Sequence, residues 1–317
     1  MRIVICHNYF RERGGEDQVF EDELELLTSH GHDVVTYVKH NNDVEGLGTT
    51  IKAALGTPWN WRAAADIEDL VRRSKAEVAH FHNWLPQISP AGFYGARRAG
   101  AAVVQTLHNY RWTCPKGILF RDGQVCEDCV GMSLPWPAIR HSCYRDSRVG
   151  SALLTATFGL HNKLRTTTTA SDAFIAPGPF IKSKLAAAGI PIERIYVKPN
   201  FLTSDPGPGA GDGAYFMYLG RLSPEKKVDT LLNAWRLLDA WVPLKISGTG
   251  PLRPMVEAAA AQDPRIEYLG FAPDEALDGL VGGARALIFT SGTYEAVSYT
   301  HLRAHETNES ISNAVFC

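Results

Sequence analysis

The chain is predicted to be an α/β protein built of two Rossmann-like βαβ domains in tandem. Three observations carry this. Short apolar runs alternate with helical patterns along most of its 317 residues. The runs are continuously apolar, as in parallel strands covered on both faces. The alternation breaks once, at the Pro/Gly/Asp segment SDPGPGAGDG, and then restarts.

The first half opens with RIVICHNY, a short apolar strand. Gln18 to His30 then places Val19, Phe20, Leu24, Leu26 and Leu27 at roughly helical spacing, and Gly31 ends the helix. DVVTYV is the next strand. AEVAHFHN and AAVVQTLHN follow as two more, separated by the helical PAGFYGARRAG. Ser151 to Thr168 reads as a helix, DAFIAPG as a strand, PFIKSKLAAAG as a helix and RIYVKPN as the closing strand. The second half repeats the scheme. AYFMYLG, PLKISGTG, RIEYLG and ALIFTSG are its strands; VDTLLNAWRLLDA, RPMVEAAAAQ and DEALDGLVGGA are its helices. The organisation expected is a first domain over 1–203 with a cysteine-rich insert at 111–146, a linker at 204–213, and a partial second domain over 214–296. Two such domains are expected to face a cleft, where ligands bind.

Composition narrows the function classes. The net charge of −2 gives no bulk electrostatic case for nucleic acid. The N-terminus lacks a signal peptide's apolar stretch and cleavage pattern, and no segment approaches the ~20 apolar residues of a membrane span. The expectation is a cytoplasmic protein, at the inner face of the membrane if it makes a peripheral contact there. Trp59, Trp61 and Trp84 are candidates to stack on a sugar or touch lipid, with buried packing the expected fate of each.

The candidate chemistry lies at strand ends. Tyr215 to Leu219 reads as a strand, Gly220-Arg221 as a turn, and Ser223-Pro224-Glu225 as a helix start with serine at the cap and proline at the first position. A helix N-terminus there, with Arg221 and Lys226 beside it, would make a place for a diphosphate. Gly248-Thr249-Gly250-Pro251, Gly270-Phe271 and Ser291-Gly292-Thr293-Tyr294-Glu295 each follow a further strand. In the first half, the paired Gly14-Gly15 lets backbone approach a ligand, and His82 and His108 each end a parallel strand, the edge at which ligands bind.

This ordered set resembles the retaining glycosyltransferases of family four, which have the GT-B architecture. GRLSPEKK, GTGP, LGF and SGTYEA carry the likeness, with Pro199-Asn200-Phe201 before the linker. RGGEDQVFEDELELL and the cysteine-bearing LHNYRWTCPKGILFRDGQVCEDCVG resemble a subgroup that acts in surface polysaccharide assembly. The resemblance implies transfer of a sugar from a nucleotide-diphosphate donor to a glycan or lipid-linked acceptor, with retention and without a catalytic metal. Arg221 and Lys226 would hold the diphosphate, beside Gly220 and the turn at Gly248 and Gly250. Gly270 and Phe271 would lie by the base. Glu295, beside Tyr294, would bind sugar hydroxyls. His108 would sit near the transferred sugar, and Gly14-Gly15 near a phosphate. The alternatives are another GT-B enzyme, such as a nucleotide-sugar epimerase, or a non-catalytic nucleotide-binding fragment.

Two features depart from that pattern. The family's second glutamate, eight positions after the first, would fall on Arg303. Residues 297–317 show no periodicity, and VSYTHLRAHET resembles translated sequencing-adapter DNA. They are expected to be a non-native, disordered tail that replaces the natural continuation, leaving the second domain incomplete and the chain with little activity. Separately, Cys114, Cys126, Cys129 and Cys143 run as C-x11-C-x2-C-x13-C in a loop-rich segment. A structural zinc held by these four, with His141 as an alternative ligand, is one reading; four reduced thiols is the other.

Overall fold

The computed structural model describes residues 1–11, 13–203 and 213–295. The chain forms two compact units. The first is Met1–Arg121 with Cys126–Thr203; the second takes in Asp122–Val125 and, among the described residues, 213–295. The tail at 297–317, Arg303 and nearly all of the expected linker lie outside the described residues.

The first unit is a parallel sheet with helices between its strands. Its strands are β1 (Arg2–Tyr9), β2 (Asp33–His40), β3 (Val78–Phe81), β4 (Ala102–Thr106), and, beyond a small hairpin of β5 (Phe120–Arg121) and β6 (Gln124–Val125), β7 (Ala173–Ala176) and β8 (Ile195–Val197). The sheet order is β2-β1-β3-β4-β7-β8, every pair parallel. β1 is buried from Ile3 to Cys6 and on through His7 and Asn8, which is why its sequence shows no alternation. The chain order reverses between β1 and β3, and the crevice at such a switch point is where open α/β sheets bind ligands.

The helices are α1 (Gly15–Ser29), α2 (Leu47–Gly56), α3 (Trp61–Ser74), α4 (Ala91–Arg98), α5 (Pro137–Arg140), α6 (Arg148–Lys163), α7 (Thr166–Thr169) and α8 (Pro179–Ala187). The sequence reading passes over α2 and α3. The signal for α3 is present: Asn60 caps it through bonds from the Arg62 and Ala63 amides, and Ala63, Ala64, Ile67 and Val71 form its buried face. Trp61 corrects an expectation. It is 72% exposed, because it begins α3 on the side away from that face, whereas Trp84 is buried.

The second unit has a parallel sheet in the order β11-β10-β9-β12, made of β9 (Phe216–Leu219), β10 (Leu244–Ser247), β11 (Ile266–Gly270) and β12 (Ala286–Leu287). Helices α9 (Val228–Arg236), α10 (Arg253–Gln262) and α11 (Asp274–Gly282) connect them. Leu231, Leu232 and Trp235 of α9 pack on Leu244 and Ile246 of β10, with Val256 of α10 in the same core. Here the chain order reverses between β9 and β12, so the loops after those two strands flank the switch point.

Candidate functional site

Each unit presents one cluster of functional side chains at the C-terminal ends of its strands. In the second unit, the sequence predicts an α-helix opening at Ser223. The structure replaces it with a single 3-10 turn, Pro224–Lys226, and α9 begins only at Val228. Lys227 takes a left-handed conformation (φ 53°) that separates the two. Ser223 makes no backbone cap. Its hydroxyl donates instead to the Glu225 carboxylate at 2.6 Å. The helix-terminus argument for anion binding at Ser223 therefore falls, and the cationic side chains remain.

The loop after β12 folds onto this turn. The Gly292 amide donates to the Glu225 carbonyl at 2.9 Å, and the Thr290 hydroxyl to the Lys226 carbonyl at 2.8 Å. These bonds set Glu295 against Lys226, whose Nζ lies 2.5 Å from Glu295 Oε1. The Ser291 hydroxyl donates to the same oxygen at 2.5 Å. Both members of the pair are partly exposed, so it is a reorganisable surface ion pair worth about 0–1 kcal/mol. Arg221 is exposed on the same loop after β9. Lys226 and Glu295 are sixty-nine positions apart, and the β9–β12 adjacency brings them together.

Gly248 and Gly250 have a packing reason that sequence alone does not reveal. Both have φ near +150°, and a Cβ at Gly248 would stand 1.9 Å from the Gly220 carbonyl oxygen. One at Gly250 would stand 2.4 Å from the Leu222 carbonyl oxygen. The loops after β9 and β10 thus touch backbone to backbone, joined by the Leu222 amide to the Thr249 carbonyl at 2.8 Å. Gly270 has φ +72° and open space around it, and Phe271 beside it is 73% exposed.

In the first unit, α1 starts at the Gly14-Gly15 pair. Asp17 accepts the Gly14 amide at 2.9 Å and holds His7 Nε2 at 2.7 Å, tying the helix to β1. His82 and His108 come together as expected of neighbouring strand ends: His82 Nδ1 and His108 Nε2 are 2.9 Å apart. A small cavity beside them is lined by Glu16, His82, Asn83, His108, Asn109 and Arg111, with Trp84 and Trp112. Asn109 donates to Glu16 Oε1 at 2.6 Å, whereas Glu16 Oε2 and Arg111 Nε are buried without hydrogen-bond partners. Burial pushes the Glu16 carboxyl up, against the bond from Asn109.

The partners of the histidines are what the sequence reading missed. His80 of β3 and His82 just past its end are two residues apart and so share a face. Behind them Glu23 of α1 lies 3.0 Å from His82 Nε2 and 3.7 Å from His80 Nδ1. Lys198, just past β8, pairs with the other Glu23 oxygen. Burial holds the imidazoles neutral at ordinary pH: His80 falls to about 3, His82 to about 4 and His108 to about 3. Burial alone would raise the Glu23 carboxyl; the side-chain bond to His82 and the Lys198 ammonium outweigh it and hold it below the usual carboxylate range. The ligand atoms of Glu23, His80 and His82 lie within 4.8 Å of one another, and no other such group occurs among the described residues. The Lys198 ammonium already neutralises Glu23, so a divalent ion there would be a buried charge with little compensation.

A sequence profile for Glycosyltransferase Family 4 matches residues 13–205, more than half of the chain. The chain belongs to glycosyltransferase family 4. Solved structures agree on the architecture. WaaG, a glycosyltransferase involved in lipopolysaccharide biosynthesis, is 14% identical with a TM-score of 0.60, covering 95% of this chain and 78% of its own. HepE of Anabaena, in complex with UDP and glucose, is 14% identical with a TM-score of 0.58, over 96% and 78%. The lipopolysaccharide outer core galactosyltransferase WaaB is 16% identical with a TM-score of 0.57, over 96% and 78%. At these identities the likeness is one of fold, and that fold is GT-B. A search of curated proteins finds no significant match.

Proposed function

We propose that this family 4 chain moves a sugar from a nucleotide-diphosphate sugar to a glycan or lipid-linked acceptor, with retention of configuration, in surface polysaccharide assembly. The observation that carries the reading is the Lys226–Glu295 pair at the switch point of the second unit, with Arg221 on the same loop after β9. The bound UDP of HepE supports a nucleotide donor.

The proposed chemistry follows from charge. As the donor's glycosidic bond breaks, negative charge builds on the departing diphosphate. Fixed cations aimed at developing charge are usually the largest single contribution to catalysis. Arg221 and Lys226 supply them, and no metal is assigned to the transfer step. Lys226 exchanges Glu295 for a phosphate oxygen on donor binding, which releases Glu295 to accept hydrogen bonds from sugar hydroxyls. Phe271 and Gly270 take the base, and Gly220, Gly248, Gly250 and Tyr294 border the donor; in the first unit, His108 is assigned to the transferred sugar and Gly14 and Gly15 to a phosphate.

Peripheral contact with the membrane's inner face belongs to the same proposal. Ile51 and Leu55 of α2 and Trp61 of α3 are exposed, and no described helix is long and apolar enough to cross a membrane. A donor screen read by released nucleoside diphosphate tests the function. Turnover is expected with one nucleotide sugar in the presence of an acceptor, and epimerised donor without acceptor would refute transfer.

A further inference from the structure

We propose that Cys114, Cys126, Cys129 and Cys143 form a structural zinc site that fastens the insert at 111–146 to the first unit. The insert needs such a fastening. Within 111–146 the only regular elements among the described residues are the two-residue strands β5 and β6 and the four-residue helix α5. So little repeating backbone leaves loop conformation to be fixed by other means, as in small metal-clipped modules.

Hydrogen bonds draw the segments that carry the four cysteines together. The Cys114 amide closes a turn onto the Tyr110 carbonyl at 2.8 Å, and the Thr113 hydroxyl donates to the Cys129 carbonyl at 3.3 Å. The first and third cysteines are thereby neighbours. The Cys126 amide donates to the Leu119 carbonyl at 2.8 Å, fixing the end of the hairpin, and the x2 spacing holds Cys126 beside Cys129. Cys143 is placed by its amide bond to the Ala138 carbonyl at 3.0 Å, at the end of α5, and Cys129 Sγ lies 4.0 Å from the Pro135 carbonyl on the approach to that helix.

A zinc ion bound by four thiolates carries a net charge of about −2, and the cationic side chains of Arg121 and Lys116 lie near Cys143. His141 is exposed while Cys143 is half-buried, which favours the thiol as the fourth ligand.

Zinc–sulfur bonds of about 2.3 Å would set the sulfurs roughly 3.8 Å apart. No three of them lie within 4.8 Å of one another, so binding would draw the loops inward. Four sulfur ligands leave no open position, so the ion's role is structural. Coordination releases the thiol protons to solvent and changes no oxidation state.

Metal analysis of the purified full chain is the test. About one zinc per chain is expected, with loss of it in the C126S/C129S double variant. If that variant fails to fold, cobalt substitution of the unaltered protein decides: strong visible absorption of tetrahedral cobalt thiolate is expected, with four thiols shielded from a thiol reagent until a chelator is added. No zinc uptake with all four thiols reactive would overturn the proposal. So would zinc that persists in C126S/C129S but is lost in His82→Asn, which would move the ion to Glu23, His80 and His82.

Discussion

Acidification should destabilise the first unit through three buried imidazoles. His80, His82 and His108 are held neutral in the folded protein, at about 3, 4 and 3 against an ordinary 6.5. A group lowered on folding takes up its proton only in the unfolded chain at intermediate pH. The unfolded state then binds more protons, and stability is lost as pH falls below the unfolded value. Between about pH 7.5 and about pH 5, each imidazole passes roughly 1.5 units below its unfolded value, at about 1.4 kcal/mol per unit. That is roughly 2 kcal/mol for each and about 6 kcal/mol for the three. Their mutual repulsion does not alter the sum, because all three stay neutral in the folded state across this window. Glu23, lowered on folding, contributes above its ordinary 4.5 throughout and loses that contribution only in stronger acid.

Urea unfolding followed by tryptophan fluorescence at the two pH values measures the loss, and histidine NMR assigns it. The three ring signals should remain at their neutral positions to about pH 5. Replacing His82 with glutamine should remove about 2 kcal/mol of the pH dependence. A protonated ring among the three at about pH 6, or an unchanged pH dependence in His82→Gln, would refute the reasoning.

Other expectations are more local. Gly248→Ala should destabilise the second unit by about 3 kcal/mol or more, since it combines a disfavoured φ with a 1.9 Å clash against the Gly220 carbonyl oxygen; thermal unfolding reads this, and a loss under about 1 kcal/mol would contradict it. Lys226→Met should leave stability within about 1 kcal/mol, because its ion pair is partly exposed, while lowering the rate of nucleoside-diphosphate release by about a hundredfold. Equal turnover by Lys226→Met and the unaltered chain would remove Lys226 from the proposed site. Glu23→Gln should cost about 1–3 kcal/mol by leaving Lys198 and His82 without their carboxylate, checked by urea unfolding, with no change if the cluster is inconsequential.

The strands were legible because each is a continuous apolar run, and β1 shows why: its residues are enclosed on both faces. The restart of the alternation after Thr203 was equally plain. What failed was local. Ser223-Pro224-Glu225 has every sign of a helix start, yet Lys227 turns left-handed and the helix waits until Val228. Propensity at a cap is worth about 1 kcal/mol, less than the bonds that the loop after β12 makes to this turn. The histidines were visible at their strand ends, but Glu23 lies one helix away and Lys198 at the far end of the unit's sequence. No short-range pattern links them. The Lys226–Glu295 pair was foreseeable only through resemblance, since sequence spacing says nothing of which strands become neighbours.

The contact of the loops after β9 and β10 has a consequence for how this scaffold can diversify. Where one peptide plane rests directly upon another, there is no side chain to exchange, and substitution can only spoil the fit. That stretch of the sheet edge is therefore a fixed floor. If the proposed donor site is right, new preferences for base or sugar must be written around that margin, by exposed side chains such as Phe271.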